Sequence, residues 1–183
     1  MHIGLVGIGY WGKNILRNLL TLDVKCTACD FNKELIHARK QEFPGAQYTL
    51  EYEDILSNNE IKAVIIATPA STHFELARQA IYAQKDILVE KPLALNLKQG
   101  QEIVRLARIN KKILMVGHIL YYHPAVSKIK ELIDADTLGR IQYIYSNRLN
   151  IGKLRTEENI LWSFAPHDIS AMLMFMGEEP LKV

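Results

Sequence analysis

The sequence predicts an α/β protein in which a doubly wound parallel sheet is followed by a second, incomplete α/β unit. Three observations lead to this fold class. Short apolar segments alternate with amphipathic ones over the first 118 residues, the pattern of strands connected by helices. Residues 63–67, AVIIA, form a continuous apolar run of the kind that is buried on both faces of a sheet. The motif GIGYWG at residues 7–12 follows a first strand and opens a helix.

The first elements follow from their periodicity. Trp11, Ile15 and Leu19 recur at helical spacing after the first strand, and a short helix is predicted over residues 33–41. Pro44 and Gly45 mark the turn that follows it. The strands that we expect in this domain cover residues 2–6, 24–29, 47–50, 63–67, 86–89 and 112–116.

Helix starts are predicted at two further places in this domain. Thr72 and Glu75 form a capping-box pattern before the helix that follows residues 63–67. Asn96 is expected to cap a helix that runs to residue 108. With these helices, residues 1–118 make up one complete sheet domain.

The pattern changes after residue 118. Pro124 suits the first position of a helix, residues 141–150 alternate as one long strand, and Pro166 is expected to start a further helix. Four apolar residues form one stripe on that last helix: Ile169, Met172, Leu173 and Met176. One strand and two helices cannot enclose a core of their own. We therefore expect residues 119–183 to be the truncated start of a second α/β domain.

The composition argues against several classes of partner. A net charge of +2 and scattered basic residues give no reason to expect nucleic acid or an anionic membrane. No apolar stretch approaches the ~18 residues of a membrane span, and the first residues do not resemble a signal peptide. The expected location is the cytoplasm.

The two cysteines, Cys26 and Cys29, form a CxxC motif of the kind used in redox and zinc sites. They fall within a predicted strand, where residues three apart point to opposite faces. The sequence also offers no second Cys/His pair to complete a zinc site. We expect two buried, reduced cysteines and no metal.

The glycine motif predicts a dinucleotide site. Gly7 permits a tight turn, Gly9 lets the backbone approach a pyrophosphate, and Gly12 allows close contact between helix and strand. Asp30, at the end of the second strand, can accept hydrogen bonds from ribose hydroxyls and would repel a 2′-phosphate. The alternative is that Asp30 only caps the next helix. The residues that follow, Phe31 and Asn32, offer no arginine for a phosphate, so the predicted cofactor is NAD.

Further polar residues follow the fourth, fifth and sixth strands, where a doubly wound sheet places its ligand crevice. They occur in the segments ATPASTH, VEKPLA and GH. The residues that we assign to the cofactor are Gly7, Gly9, Tyr10, Trp11, Gly12, Asp30, Thr68, Pro69, His73, Glu90 and Lys91.

With GIGYWG, CDFN, ATPASTHFELARQAI and VEKPLA in place, the chain resembles the Gfo/Idh/MocA oxidoreductases over essentially its whole length. The resemblance implies a Rossmann domain over residues 1–118. It also implies an α/β substrate domain beginning at residue 119, whose open sheet forms a homo-oligomer. It further implies that Lys91, with a cis bond to Pro92, lies beside the nicotinamide and stabilises alkoxide charge during hydride transfer.

The second signature of that family is a D-x-x-x-H, and the histidine that matches it here is His167, with a role in proton transfer. The position four residues earlier is Ser163 rather than an aspartate. Asp168 is either a substitute for that carboxylate or only a partner of the helix dipole.

The segment 147–180 resembles the branch of the family that acts on nucleotide sugars such as UDP-N-acetylglucosamine. Arg148, Lys153 and Arg155 suit a diphosphate or form a solvated basic loop. Tyr121 and His123 either reach the substrate or pack the domain junction.

The function that follows is NAD-dependent oxidation of a hydroxyl of a sugar or nucleotide sugar. Two alternatives remain within the same resemblance, because that family includes non-catalytic regulators that bind NAD or sugar and glycosidases that use NAD. The presence of both Lys91 and His167 argues against the regulator, and net NADH formation would separate a dehydrogenase from a glycosidase.

Overall fold

The computed structural model describes residues 1–147 and 160–182. The chain divides into two compact units, Met1–Gly117 and His118–Val183. The division falls one residue before the boundary that the sequence predicts.

The first unit is built on a parallel sheet with six strands: β1 (His2–Val6), β2 (Lys25–Cys29), β3 (Gln47–Thr49), β4 (Ile61–Ile66), β5 (Asp86–Val89) and β6 (Leu114–Val116). Their order across the sheet is β3-β2-β1-β4-β5-β6, which confirms the doubly wound fold. The chain moves outward from β1 to β3 and then crosses back to β4. The carboxyl ends of β1 and β4 therefore flank the point where the direction of winding reverses, which is where such sheets bind ligands.

Five helices connect these strands: α1 (Gly12–Thr21), α2 (Lys33–Glu42), α3 (Tyr52–Ser57), α4 (Ala70–Tyr82) and α5 (Leu97–Ile109). Helix α3 was not predicted, because six residues are too few to show a helical period. Asn32 caps α2, and Asn96 caps α5 as predicted, each through a side-chain oxygen that accepts a backbone N–H.

The predicted capping box of α4 is wrong. The helix begins at Ala70, before Thr72, and its N-cap residue Pro69 has no side chain that could accept a hydrogen bond. The Thr72 hydroxyl donates to the Pro69 carbonyl, and Glu75 pairs with Arg78 along the helix. Thr72 and Glu75 therefore lie inside the first turns and not at the start.

The sheet separates two apolar cores, one on each face. Neighbouring strand residues divide between them: Val6 and Ile66 pack into one core, and Leu5 and Ile65 into the other. Cys29 belongs to the first core and Cys26 to the second, which confirms that the two thiols point to opposite faces. Burial raises the pKa of both thiols to about 12, so both stay protonated at neutral pH, and neither forms a disulfide in the structure.

The second unit contains a 3₁₀ helix (Ile119–Tyr122), α6 (Pro124–Asp134) and α7 (Ile160–Met176). Pro124 starts α6 as predicted. The long strand predicted over residues 141–150 is not present in its described part, since residues 141–147 have no regular structure. The described parts of this unit contain no strand with which it could pair, and an unpaired strand is not stable.

Two predictions for α7 are also wrong. The helix begins at Ile160, so that Pro166 lies inside it and does not start it. The predicted apolar stripe does not face a core: Ile169 is 54% exposed, and Leu173 and Met176 are exposed as well. Among the α7 residues whose side chains are described, the buried one is Ser170.

Candidate active site

The glycine loop between β1 and α1 has the backbone that a dinucleotide needs. Gly7 has a φ of +86°, and a Cβ added there would lie 2.8 Å from the Ala67 carbonyl. A Cβ on Gly12 would lie 1.9 Å from the Gly7 oxygen, so the helix and the loop can be this close only without a side chain. A Cβ on Gly9 would meet no atom within 4 Å. Gly7 and Gly12 are thus required by the fold, whereas Gly9 leaves open space for a ligand.

Asp30 lies beside this loop. One carboxylate oxygen accepts the N–H of Ile8 at 3.0 Å, and the other accepts the N–H of Asn32 at 3.0 Å. The cap of α2 is Asn32, whose side chain accepts the N–H of Leu35, so Asp30 itself does not cap the helix. Both carboxylate oxygens have further lone pairs, and the side chain is only half-buried. Asp30 is therefore held next to the glycine loop and can still accept hydrogen bonds from a ribose.

The start of α1 suits a pyrophosphate. The helix begins at Gly12 with no side-chain cap and no acidic residue in its first turn. No acidic side chain of the first turn of α1 therefore offsets the partial positive charge of this helix N-terminus. Together with the open space at Gly9, these residues fit a bound dinucleotide. Tyr10 is 91% exposed beside them.

The loop after β4 holds Thr68 and Pro69, and His73 lies one turn into α4. The structure places His73 differently from its predicted role, because its ring is only 1% exposed. Its Nδ1 lies 2.7 Å from the Pro92 carbonyl and its Nε2 lies 2.9 Å from the Thr68 carbonyl. With both nitrogens facing carbonyl oxygens, the ring has no polar atom left for a cofactor. It connects the loop after β4 to the segment after β5.

The segment Glu90-Lys91-Pro92 follows β5, and its Lys91–Pro92 bond is cis, as the resemblance implied. The indole N–H of Trp11 donates to Glu90 Oε1 at 2.7 Å, which connects this segment to the glycine loop. The Glu90 carboxylate also lies against Gly117, where a Cβ would be 2.8 Å from its nearest oxygen. Residues from the loops after β1, β5 and β6 thus meet at Glu90, the residue directly before Lys91.

Two residues of this site were not assigned a role from the sequence: Arg39 was not singled out, and Gly117 was noted only as part of the segment GH after the sixth strand. Arg39 of α2 donates from Nε to the Ile8 carbonyl at 3.2 Å and from Nη1 to the Glu42 carboxylate at 2.9 Å. It therefore connects α2 to the glycine loop. Gly117 provides the space for Glu90. A glycine directly after the last strand was a usable signal for Gly117, whereas nothing local identifies Arg39.

In the second unit, the Asp168 carboxylate accepts the Ser146 hydroxyl at 2.9 Å. His167 is half-buried, and its backbone carbonyl accepts the Ser170 hydroxyl. His123 caps α6, since its Nδ1 accepts the N–H of Ala125 at 3.2 Å.

Tyr121 and His118 lie at the start of the second unit. Tyr121 is 40% exposed. Burial lowers the pKa of His118, so that imidazole is neutral at neutral pH. Arg148, Lys153 and Arg155 lie outside the described residues.

Membrane-spanning helices and metal-binding groups are both absent from the described residues. In the described parts of the chain, no helix is long and apolar enough to cross a bilayer. Over the same residues, no group of three or more His, Cys, Asp or Glu side chains is arranged to hold a metal ion.

Comparison with known proteins agrees with this geometry. A family model described as "Oxidoreductase family, NAD-binding Rossmann fold" (Gfo/Idh/MocA) matches residues 1–118. The chain belongs to the Gfo/Idh/MocA oxidoreductases. NAD is accordingly the cofactor of its Rossmann domain, and the residues around Gly9 and Asp30 fit it.

Three proteins similar to this chain are each longer than it. A UDP-N-acetylglucosamine 3-dehydrogenase of Acidithiobacillus ferrooxidans is 27% identical over 100% of this chain and 56% of its own length. An inositol 2-dehydrogenase of Saccharopolyspora erythraea is 25% identical over 98% of this chain and 55% of its own. The crystal structure of a probable dehydrogenase from Thermotoga maritima superposes with a TM-score of 0.84 at 22% identity, over 98% of this chain and 56% of that one. The chain spans about half the length of the relatives it matches.

Proposed function

We propose that the protein is an NAD-dependent dehydrogenase that oxidises a ring hydroxyl of a sugar-type substrate, with a nucleotide sugar such as UDP-N-acetylglucosamine as the first candidate. The observation that carries this proposal is the 2.7 Å hydrogen bond from Trp11 to Glu90. It holds the residue before Lys91 against the loop that takes the dinucleotide. This contact supports our assignment of Lys91, which follows the carboxyl end of β5, to the cofactor crevice.

Lys91 is assigned the role of polarising the substrate. Its ammonium donates a hydrogen bond to the hydroxyl oxygen and stabilises the negative charge that develops there as the C–H bond breaks. Bound NAD supplies the acceptor for the hydride. His167 is assigned, from the family resemblance, the role of taking the hydroxyl proton. The carbon is oxidised to a ketone, with two electrons leaving as hydride and one proton passing to the imidazole.

The choice of substrate class rests on the relatives. Two of them are dehydrogenases, one of UDP-N-acetylglucosamine and one of inositol. Both of these substrates carry hydroxyl groups on a ring. We favour the nucleotide sugar because the segment 147–180 resembles that branch. The cations in it, Arg148, Lys153 and Arg155, would pair with a diphosphate. We further propose that the full-length protein forms a homo-oligomer through its second domain.

The test is Lys91→Met in the full-length protein, assayed for NADH formation with UDP-N-acetylglucosamine, UDP-glucose and myo-inositol. We expect turnover to fall by about 10²–10³-fold, the usual effect of removing one group that stabilises an oxyanion. The dissociation constant for NAD should stay nearly unchanged. Lys98→Met, an exposed lysine of α5, is the matched control and should keep full activity. Activity that survives Lys91→Met would contradict the mechanism.

A further inference from the structure

Lys91 lies between two residues that are each held by a side chain from elsewhere in the Rossmann domain. Glu90, directly before it, accepts the indole N–H of Trp11. Pro92, directly after it, has its carbonyl oxygen 2.7 Å from a ring nitrogen of His73. The two contacts bridge 79 and 19 positions of the chain, respectively, so neither is part of local secondary structure.

The Trp11 contact restrains the carboxylate before Lys91, and Gly117 leaves free the space that this carboxylate occupies. The indole donates to one oxygen, and Gly117 lies where any side chain would collide with the same carboxylate at 2.8–2.9 Å. Glu90 also has its backbone N–H bound to the Ile66 carbonyl at 2.9 Å. Its backbone and its carboxylate are therefore both restrained.

The His73 contact fixes the backbone after Lys91. The ring is 1% exposed and lies between two carbonyl oxygens, those of Thr68 and Pro92. Carbonyl oxygens only accept, so any bond that the ring makes with them needs a ring N–H, and an apolar side chain in this buried position would remove every donor that the ring supplies. Leaving buried acceptors unsatisfied is unfavourable, and the backbone near Pro92 would have to move to regain a donor.

We propose that Trp11 and His73 are positioning residues that together set the place of the Lys91 ammonium, one acting through Glu90 and the other through Pro92. The inference rests on the proposed function of Lys91. It assigns no contact between His73 and substrate or cofactor. A displacement of about 1 Å at a reacting group can reduce turnover about 100-fold, so restraint on both sides of one lysine has a direct catalytic effect.

The first experiment needs no substrate and uses the 183-residue chain. Amide hydrogen exchange is measured for the peptide covering residues 90–94 in Trp11→Phe, which keeps an aromatic ring without the N–H, and in His73→Leu. We expect exchange in this peptide to become about tenfold faster in each variant. His2→Leu is the control, because His2 is also a buried histidine with one ring nitrogen bound to Thr27, yet it starts β1 at the opposite end of the sheet.

The control distinguishes a local loosening of residues 90–94 from a general loss of stability of the domain. His2→Leu should destabilise the domain without selectively loosening residues 90–94. His73→Gln keeps a side-chain N–H donor, so exchange in residues 90–94 should be faster than in the parent but slower than in His73→Leu. It also provides a measurement if His73→Leu does not fold. Faster exchange spread over the whole Rossmann domain in the His73 variants would overturn the inference.

A glycine pair tests the Trp11 side independently. Gly117→Ala places a methyl group against the Glu90 carboxylate, which must move away and lose its bond to Trp11. It should therefore reproduce the exchange pattern of Trp11→Phe. Gly100→Ala, where a Cβ meets nothing within 4 Å, should leave residues 90–94 unchanged. Equal patterns in Gly117→Ala and Gly100→Ala would count against the inference.

The second experiment measures kcat and NAD binding in the full-length protein, with the substrate that gives NADH. For His73→Leu we expect kcat to fall about 10–100-fold while the dissociation constant for NAD changes less than about threefold. A merely structural role would weaken both or neither. Unchanged kcat with faster exchange would refute the positioning role. Full activity in Lys91→Met would instead refute the proposed function, which keeps the two failures distinct.

Discussion

At the scale of single side chains, we propose that Asp30 determines which dinucleotide this Rossmann domain prefers. Its carboxylate is held against the glycine loop by the N–H of Ile8, and we assign to it the hydroxyls of the adenosine ribose. We predict that Asp30→Ala weakens NAD binding by about 10–100-fold, the usual effect of losing hydrogen bonds to a charged group. Binding of NADP should not weaken, because the repulsion of its phosphate is lost as well.

Calorimetric titration of the 183-residue chain with both dinucleotides measures this selectivity. Glu34→Gln is the control, since it removes a nearby exposed negative charge in the first turn of α2 without touching the loop. An Asp30→Ala protein that still prefers NAD as strongly as the parent would show that selectivity resides elsewhere.

Substitutions at two glycines of the loop are expected to affect different properties: stability at Gly12 and NAD binding at Gly9. Gly12→Ala forces a methyl group onto the Gly7 carbonyl, so we predict a loss of about 1–3 kcal/mol in the free energy of unfolding. Gly9→Ala meets no protein atom and should leave the melting temperature nearly unchanged, yet weaken NAD binding by at least about tenfold. Thermal unfolding and NAD titration of both variants check this. A stable Gly12→Ala, or a Gly9→Ala that binds NAD normally, would contradict the geometry.

Four helices end in the same way: a residue other than glycine adopts a positive φ shortly after the last helical residue. The residues with positive φ after α1, α4, α5 and α6 are Asp23, Gln84, Lys111 and Asp136. After α5, for example, Lys111 donates to the Arg108 carbonyl and Lys112 to the Ala107 carbonyl, the bonding pattern of a Schellman motif. A non-glycine residue there pays a conformational cost that glycine would avoid.

We predict that Lys111→Gly raises the free energy of unfolding by about 0.5–1 kcal/mol. The matched control is Gln101→Gly on the exposed part of α5, which should lower it by about 1 kcal/mol. Urea denaturation of the two variants beside the parent measures both changes. A loss of stability in Lys111→Gly would mean that its side chain contributes more than its backbone conformation costs.

The elements also show why more of the first unit than of the second could be predicted from the sequence. The strands of the first unit and the loop at Gly7 were predicted because their signals are local: an apolar run, a glycine motif and an Asn cap. The contacts of Glu90 with Trp11 and of Pro92 with His73 could not be predicted, since they depend on how distant loops meet. In the second unit, the alternation over residues 141–147 had no partner strand among the described residues, so a correct pattern did not produce a strand.

For the molecule as a whole, the two units differ in how much core each contains. All buried apolar side chains among the described residues lie at or before Ala107, and both core clusters consist of these residues. The whole six-stranded sheet also lies before residue 118. In contrast, the buried residue in the described part of the second unit is the polar Ser170. The first unit therefore contains what a cooperative fold requires, whereas the second does not contain it within the described residues.

From this asymmetry we predict that residues 1–117 alone fold and bind NAD with a dissociation constant within about threefold of that of the 183-residue chain. Because NAD binds only the folded state, a concentration 100-fold above that constant should add about 2.7 kcal/mol and raise the melting temperature of both proteins alike. Residues 118–183 alone should show no cooperative transition. Thermal unfolding of the three proteins with and without NAD makes the comparison. If residues 1–117 stay unfolded or do not respond to NAD, the Rossmann domain depends on contacts beyond its own cores.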